Sequence, residues 1–407
     1  MVISPPLMFV FRIGPWRVCS AALLVCVAVA AMAQGQAQGN TLRNRSKILA
    51  GFPLTKFYDT PTPLPSGKPG ELMRSGSFDN YLLPPGISAT RILYYTRSAS
   101  GAMVATSGVV LFPELKAPTG GWPVIAWAHD LNGVARTCAP SLSRNLDDGP
   151  FLSMYVNLGY AVVATDYTGL GTNFPNAFAD EQSNAWNVID SIPAARSAVP
   201  GLGPRWIAMG IGEGARAALS AAELEHQTRD ANFLGSVAIS RIADLEELLQ
   251  RDVAPTADLP LLLAYGVKTI YPDFTPGDIL SDQAMPLYDQ ERSECGVPDA
   301  GKVPTAGMWK PHWQNNKFVQ DYFNRNRLGE SAAGAPLLIV SGEQGASLVA
   351  EMKVVQRLCR TGDRVLFRRY AESDPGRVIG DSVRDQMAWI QDRFANRPAQ
   401  TNCSVEP

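Results

Sequence analysis

The chain has 407 residues, 46% of them apolar and 18% charged, which suits one large globular domain with an insertion, or at most two domains, and excludes disorder as the default. Its net charge is −2 and no Lys/Arg-rich run or tandem repeat occurs, so nothing argues for a nucleic-acid partner. Only three histidines occur, none near a second cysteine, so neither a metal site nor a cofactor is expected.

Residues 1–33 stand apart. Arg12 and Arg17 precede the uncharged run "VCSAALLVCVAVAAMA", which ends in Ala31-Met32-Ala33, a small-x-small cleavage pattern. This predicts a secretory signal cleaved after Ala33. About 16 apolar residues fall short of the ~20 that a spanning helix needs, and Val25 before Cys26 argues against a lipoprotein anchor. Cleavage removes two arginines and no acid, taking the net charge from −2 to about −4. The protein is expected to be secreted or periplasmic, with no integral membrane segment once the signal is gone.

Residues 34–70, polar and rich in Gly and Pro, predict a tether and an irregular N-terminal wrap. Strand-like runs follow in order: "TRILYYT", "ATSGVVLFP", "PVIAWAH", "YAVVATD", "RWIAMG", "LGSVAIS", "PLLIVSG" and "RVLFRRY". Several are apolar throughout, as strands buried on both faces are. Helical stretches lie between them, including "DGPFLSMYVNLG", "AWNVIDSIPAARSAV", "ARAALSAAELEHQ", "LVAEMKVVQRLCRTG" and "SVRDQMAWIQDRFA". The fold class is therefore α/β, a mostly parallel sheet with helices on both faces, its core formed by 71–241 and 329–397. Between 242 and 328 the alternation breaks into short helical pieces, "ADLEELLQRD" and "KFVQDYFNRNR", with Pro-rich connections and several aromatics. This insertion is read as a cap over the carboxyl ends of the strands, where open α/β sheets bind ligands; the bland alternative is a helical bulge that binds nothing. Residues 398–407 form a C-terminal tail.

One stretch poses the functional question. "RWIAMGIGEGARAALSAAELE" has the form of a strand, a sharp turn and a helix, and Gly210-Ile211-Gly212-Glu213-Gly214 keeps the frame of the G-x-S-x-G nucleophile elbow while lacking its serine. Together with "GGWPVIAWAHD", "GVARTCAPS", "YVNLGYAVVATDYTGLGT" and the tail from "PLLIVSGEQG" to "AWIQDRFA", it resembles, over roughly residues 50–397, the bacterial branch of the secretory lipase family, relatives of the fungal lipase A type of α/β-hydrolase. The resemblance implies an α/β-hydrolase fold with an inserted cap. It places the serine at Gly212, the acid at Gly345 and the histidine at Pro375, so that no member of the triad is intact. It also places the oxyanion backbone donors at Leu131 and Glu213, and the pocket floor at His129, Asp130 and Ile211. Cys138 is expected to pair with Cys295 and Cys359 with Cys403. Asp130 stands where the family has glycine, and a carboxylate there opposes an anionic ligand unless it points away or is protonated. Asp130, Glu213 and Asp374 are expected to form an acidic patch near that floor. Asp166 and Tyr167, with Gly169 and Gly171, are read as loop support.

No histidine follows His312, so the loop after the last strand has no base to offer, and His129, His226 and His312 are each read as packed or solvated. Losing nucleophile or base from a serine hydrolase costs on the order of 10⁶ in turnover, or ~8 kcal/mol of barrier. Three readings follow. The first is an exported pseudo-lipase whose pocket and oxyanion donors survive to bind a lipid, fatty-acyl group or ester without cleaving it. The second is an active lipase or carboxylesterase using non-standard residues. The third is a structural or interaction protein with no ligand.

Overall fold

A computed structural model describes residues 51–250, 257–296, 300–345 and 347–403; the expected signal, residues 34–50 of the tether and wrap, and the last residues of the tail lie outside them. Nine strands form one sheet: β1 (Leu72–Ser77), β2 (Ile87–Arg97), β3 (Met103–Pro113), β4 (Trp122–Ala128), β5 (Ala161–Thr165), β6 (Leu202–Ile211), β7 (Phe233–Ile239), β8 (Leu337–Gly342) and β9 (Val365–Tyr370), in the spatial order β1-β2-β3-β5-β4-β6-β7-β8-β9. β1, β2, β3 and β5 pair antiparallel, and from β5 through β4 to β9 every pairing is parallel. This is the mostly parallel sheet that the apolar runs imply.

Alternation along β4 shows why those runs need two covered faces. Val124, Ala126 and Ala128 pack with Ala185, Val188 and Ile192 of helix α2 (Glu181–Ala198) and with Ala217, Ala218 and Ala221 of helix α3 (Glu213–Thr228). Ile125 and Trp127 point to the other face, against Leu152, Tyr155 and Val156 of helix α1 (Gly149–Asn157) and, further along, Trp389 and Ile390 of the last helix. One strand thus serves two cores. Small residues on the α2/α3 face let those helices lie close to the sheet, which matters for the turn between β6 and α3.

Among the described residues, four helices are inserted between β7 and β8: α4 (Leu245–Gln250), α5 (Leu259–Ile270), α6 (Met285–Glu291) and α7 (Lys317–Arg325). They share an apolar cluster built on Leu261, Leu262, Leu263, Phe274, Val319 and Tyr322, which also takes in Val134, Phe178 and Ala179 from loops of the core. The insertion therefore covers the carboxyl ends of β4, β5 and β6. The chain closes with α8 (Leu348–Arg360), the short α9 (Val378–Asp381) and α10 (Val383–Phe394). Disulfides join Cys138 to Cys295 and Cys359 to Cys403. The first ties the loop after β4 to the segment that follows α6 in the insertion. The second pins the tail, where Asn402 bonds the backbone of Val365 and Phe367 and so covers the edge strand β9.

Candidate active site

β6 runs into α3 through Gly212, whose φ of 58° and ψ of −117° lie in a region that side chains adopt only under strain. Glycines flank it because the backbone of β4 passes close by. A Cβ on Gly210 would lie 2.7 Å from the carbonyl oxygen of Ala128, and one on Gly214 the same distance from that of His129. The turn is a nucleophile elbow in geometry, with its helix N-terminus aimed at the ends of the strands. It presents no side chain there.

The two positions expected for the acid and the histidine meet each other. A Cβ on Gly345, after β8, would lie 2.8 Å from Cγ of Pro375, after β9. An acid at the first and an imidazole at the second would stand side by side; glycine and proline offer neither proton nor lone pair. Asp374, next to Pro375, accepts from the backbone N–H groups of Gly376 and Arg377, and those bonds hold its carboxyl below the usual range. Ser347, near Gly345, donates to Glu351, which also accepts from Ser341 and from the Arg241 backbone. That buried acid is spent on holding loops, and no imidazole accompanies it.

The two backbone donors expected for an oxyanion are already paired. Oδ1 of Asp130 accepts from the backbone N–H of Leu131 at 2.8 Å and from that of Glu213 at 3.1 Å. Oδ2 accepts from Nη1 of Arg241 at 2.6 Å. A Cβ on Gly212 would overlap the same carboxylate. The two donors expected to await an acyl group are thus engaged by the chain itself, which corrects the reading that they stand free. The expected acidic patch is also revised. Arg241, which the sequence did not single out, pairs with Asp130 and its charge helps to hold Asp374 ionised. Glu213 turns the other way, its carboxylate accepting from Ala179 N and Asn184 Nδ2, each at 2.9 Å.

His129 is a packed residue. Its ring stacks on Tyr167 at 4.1 Å, and Nδ1 donates to the Asp130 carbonyl at 2.6 Å, while Nε2 is buried without a partner. Burial pushes its pKa down, so the ring is neutral. The Tyr167 hydroxyl donates to the His129 carbonyl, and Asp166 accepts from Ser107 and Ser141, as expected of loop support. His226, 13 residues along α3 from Glu213, lies ~20 Å from the elbow. His312 is exposed on the insertion. Ile211 is buried at the end of β6 among the apolar residues behind the elbow.

Beneath the elbow, the buried guanidinium of Arg216 donates to Glu181 at 2.5 Å and to the backbone carbonyls of Asn326 and Ala243, joining α3 to α2 and to the insertion. The cavity between elbow and insertion is lined by Leu131, Phe178, Leu245, Leu248 and Leu259 and measures ≈ 50 Å³. That is room for a few waters; ligand pockets are commonly ~300 Å³ or more. A long acyl chain enters only if the insertion moves. Among the described residues no group of three or more His, Cys, Asp or Glu is placed to hold a metal ion.

The match to known proteins falls where the elbow and its surroundings lie: the family model of secretory lipases covers residues 146–402. The chain belongs to the secretory lipase family. A probable inactive lipase of Mycobacterium tuberculosis (strain CDC 1551 / Oshkosh) is 24% identical over 84% of this chain and 82% of that relative. Among solved structures, Candida antarctica lipase A in its closed state is similar with a TM-score of 0.73 at 16% identity, over 88% of this chain and 90% of that one. The rice cell wall degrading esterase LipA from Xanthomonas oryzae is similar with a TM-score of 0.67 at 18% identity, over 82% of this chain and all of that one. Likeness at such identity shows the shared α/β-hydrolase fold.

Two outcomes are expected. Burial, opposed by its two hydrogen bonds and reinforced by the charge of Asp130, pushes Glu213 up to about 7 from an ordinary 4.5. Between those values the folded protein keeps a proton that the unfolded chain has released. Stability from this group therefore falls as pH rises from 4.5 to 7 and is level on either side. Urea melts at pH 5 and pH 7.5 should show wild type losing more stability across that interval than Glu213→Gln. Second, Gly212→Ala should destabilise by about 2–4 kcal/mol, from left-handed strain plus overlap with Asp130. The loss should shrink by roughly 1 kcal/mol or more when Asp130→Ala is also present, a coupling read by a double-mutant cycle.

Proposed function

We propose that this is an exported, catalytically inert member of the secretory lipase family. The observation that carries the reading is positional. Gly212 sits on an elbow of nucleophile geometry, and Gly345 and Pro375 lie against one another at the ends of neighbouring strands, where an acid and a base would have to stand. None of the three offers a hydroxyl, a carboxyl or an imidazole, and the nearest imidazole, His129, is stacked and neutral. Without an attacking oxygen and a proton acceptor in contact there is no acyl-enzyme route. The mycobacterial relative's description as a probable inactive lipase agrees with this reading.

Export rests on the leader-like segment and on two disulfides, which persist in oxidising compartments. The ≈ 50 Å³ cavity favours a resting state without an acyl ligand; a lipid or ester would be held only by a form in which the insertion has shifted. No helix among the described residues is long and apolar enough to cross a membrane.

Purified protein should hydrolyse short- and long-chain p-nitrophenyl esters no faster than buffer. Its intact mass should be unchanged after incubation with a fluorophosphonate. A single phosphonate adduct on the native protein that is absent after heat denaturation would contradict the proposal, because it requires an activated nucleophile.

A further inference from the structure

We propose that the region between β4, β7 and the start of α3 is a carboxylate-binding notch whose resident ligand is the side chain of Asp130, locked in place by Arg241, so that an external carboxylate enters only by displacing it. The proposal rests on the inert reading, since a working oxyanion hole has to be empty at rest. It adds what fills the site instead and which chemistry that site accepts.

Three donors converge on one carboxylate. Leu131 N–H and Glu213 N–H reach Oδ1, the latter from the first turn of α3, where unpaired backbone donors and the helix dipole favour an anion. The Arg241 guanidinium reaches Oδ2. Both oxygens are thus engaged, each by a different wall of the notch.

The backbone is bent to make this possible. Ser240 (φ 58°) and Arg241 (φ 54°) are consecutive left-handed residues that are not glycine, a conformation with a real cost for each. The turn they form directs the Arg241 side chain to Asp130, while its N–H is held by the buried Glu351. Moreover, Asp130 stands where any side chain at 212 would project. Glycine at the elbow and aspartate in the notch are therefore one arrangement: the first makes room for the second.

The chemical class of an outside ligand follows from the same walls. Its head has to be an anion able to take two backbone N–H bonds and a guanidinium, the role the Asp130 carboxylate already fills. Beyond the head lie Leu131, Leu245, Leu248 and Leu259, so an apolar tail is accepted, and the ≈ 50 Å³ of adjoining space keeps that tail short. A short-chain aliphatic carboxylate meets these conditions. The half-exposed position of the pair, each side chain 28% accessible, gives such a ligand a path to the notch.

The experiment compares hexanoate binding, by titration calorimetry and by saturation-transfer NMR, in wild type, Asp130→Ala, Asp130→Asn and Asp130→Ala/Arg241→Gln, with hexanol as the uncharged control. Asp130→Ala should bind hexanoate about tenfold more tightly than wild type or better, Asp130→Asn should fall between, and the added Arg241→Gln should remove most of the gain. Hexanol should bind all four alike. Equal hexanoate affinity in wild type and in folded Asp130→Ala or Asp130→Asn, or a gain that Arg241→Gln leaves intact, overturns the proposal. Ester turnover is measured in the same samples. Hydrolysis by wild type would defeat the inert reading and the filled notch that rests on it, whereas unchanged hexanoate binding without hydrolysis would defeat the notch alone.

Discussion

A single carboxylate oxygen, Oδ1 of Asp130, sits on the two backbone N–H groups that this fold gathers at the end of its central strands. Much of the site's character follows from that contact. Helix N-termini leave unpaired donors wherever they occur, and burying such donors without partners is costly. In a working hydrolase, water and then the reacting oxygen meet the demand. Here an internal acid meets it, Arg241 neutralises that acid, and a glycine at the elbow leaves it space. The loss of the nucleophile and the filling of the notch are two sides of one packing solution.

The scaffold around this point has not decayed. The elbow keeps its strained geometry although no serine needs it, and the glycines at 210 and 214 still let β4 pass close by. Arg216 remains a buried strut with carboxylate and carbonyl partners, and the Cys138–Cys295 disulfide ties the loop after β4 to the insertion. Such features specify a fold whether or not chemistry follows. On the proposed reading, the α/β platform of the family persists and the Asp130–Arg241 salt bridge fills the place of its reaction centre.

Much of this was readable in the residues. The apolar runs of β4 to β9 announce strands buried on both faces, and the turn chemistry around Gly212 marks the elbow even without its serine. β1 was not read as a strand, because "LMRSGS" is a half-exposed edge strand with no apolar run. Helix α5 was missed for the opposite reason: "LPLLLAYGVKTI" is buried nearly all round, so periodicity gives no face, and Pro260 and Gly266 read as breakers. At the site, the identities at 212, 345 and 375 were legible, and so was the oddity of an acid at 130. The direction in which that acid points was not. Its partner lies 111 residues away on a left-handed turn, and no local pattern couples the two positions. Without Arg241 in view, Asp130, Glu213 and Asp374 read as an acidic patch; with it, Asp130 is paired, Glu213 faces α2, and Asp374 is held by the backbone N–H groups of Gly376 and Arg377.

The claim on which this account turns is that the notch is filled from within. A crystal structure of the unliganded protein, grown near neutral pH from conditions free of carboxylates and other small anions, tests it most directly. The account predicts the Asp130 carboxylate within about 3 Å of both backbone nitrogens and of the Arg241 guanidinium, with no water between them. Density showing Asp130 turned to solvent, with an ordered water bridging Leu131 N and Glu213 N, would contradict it.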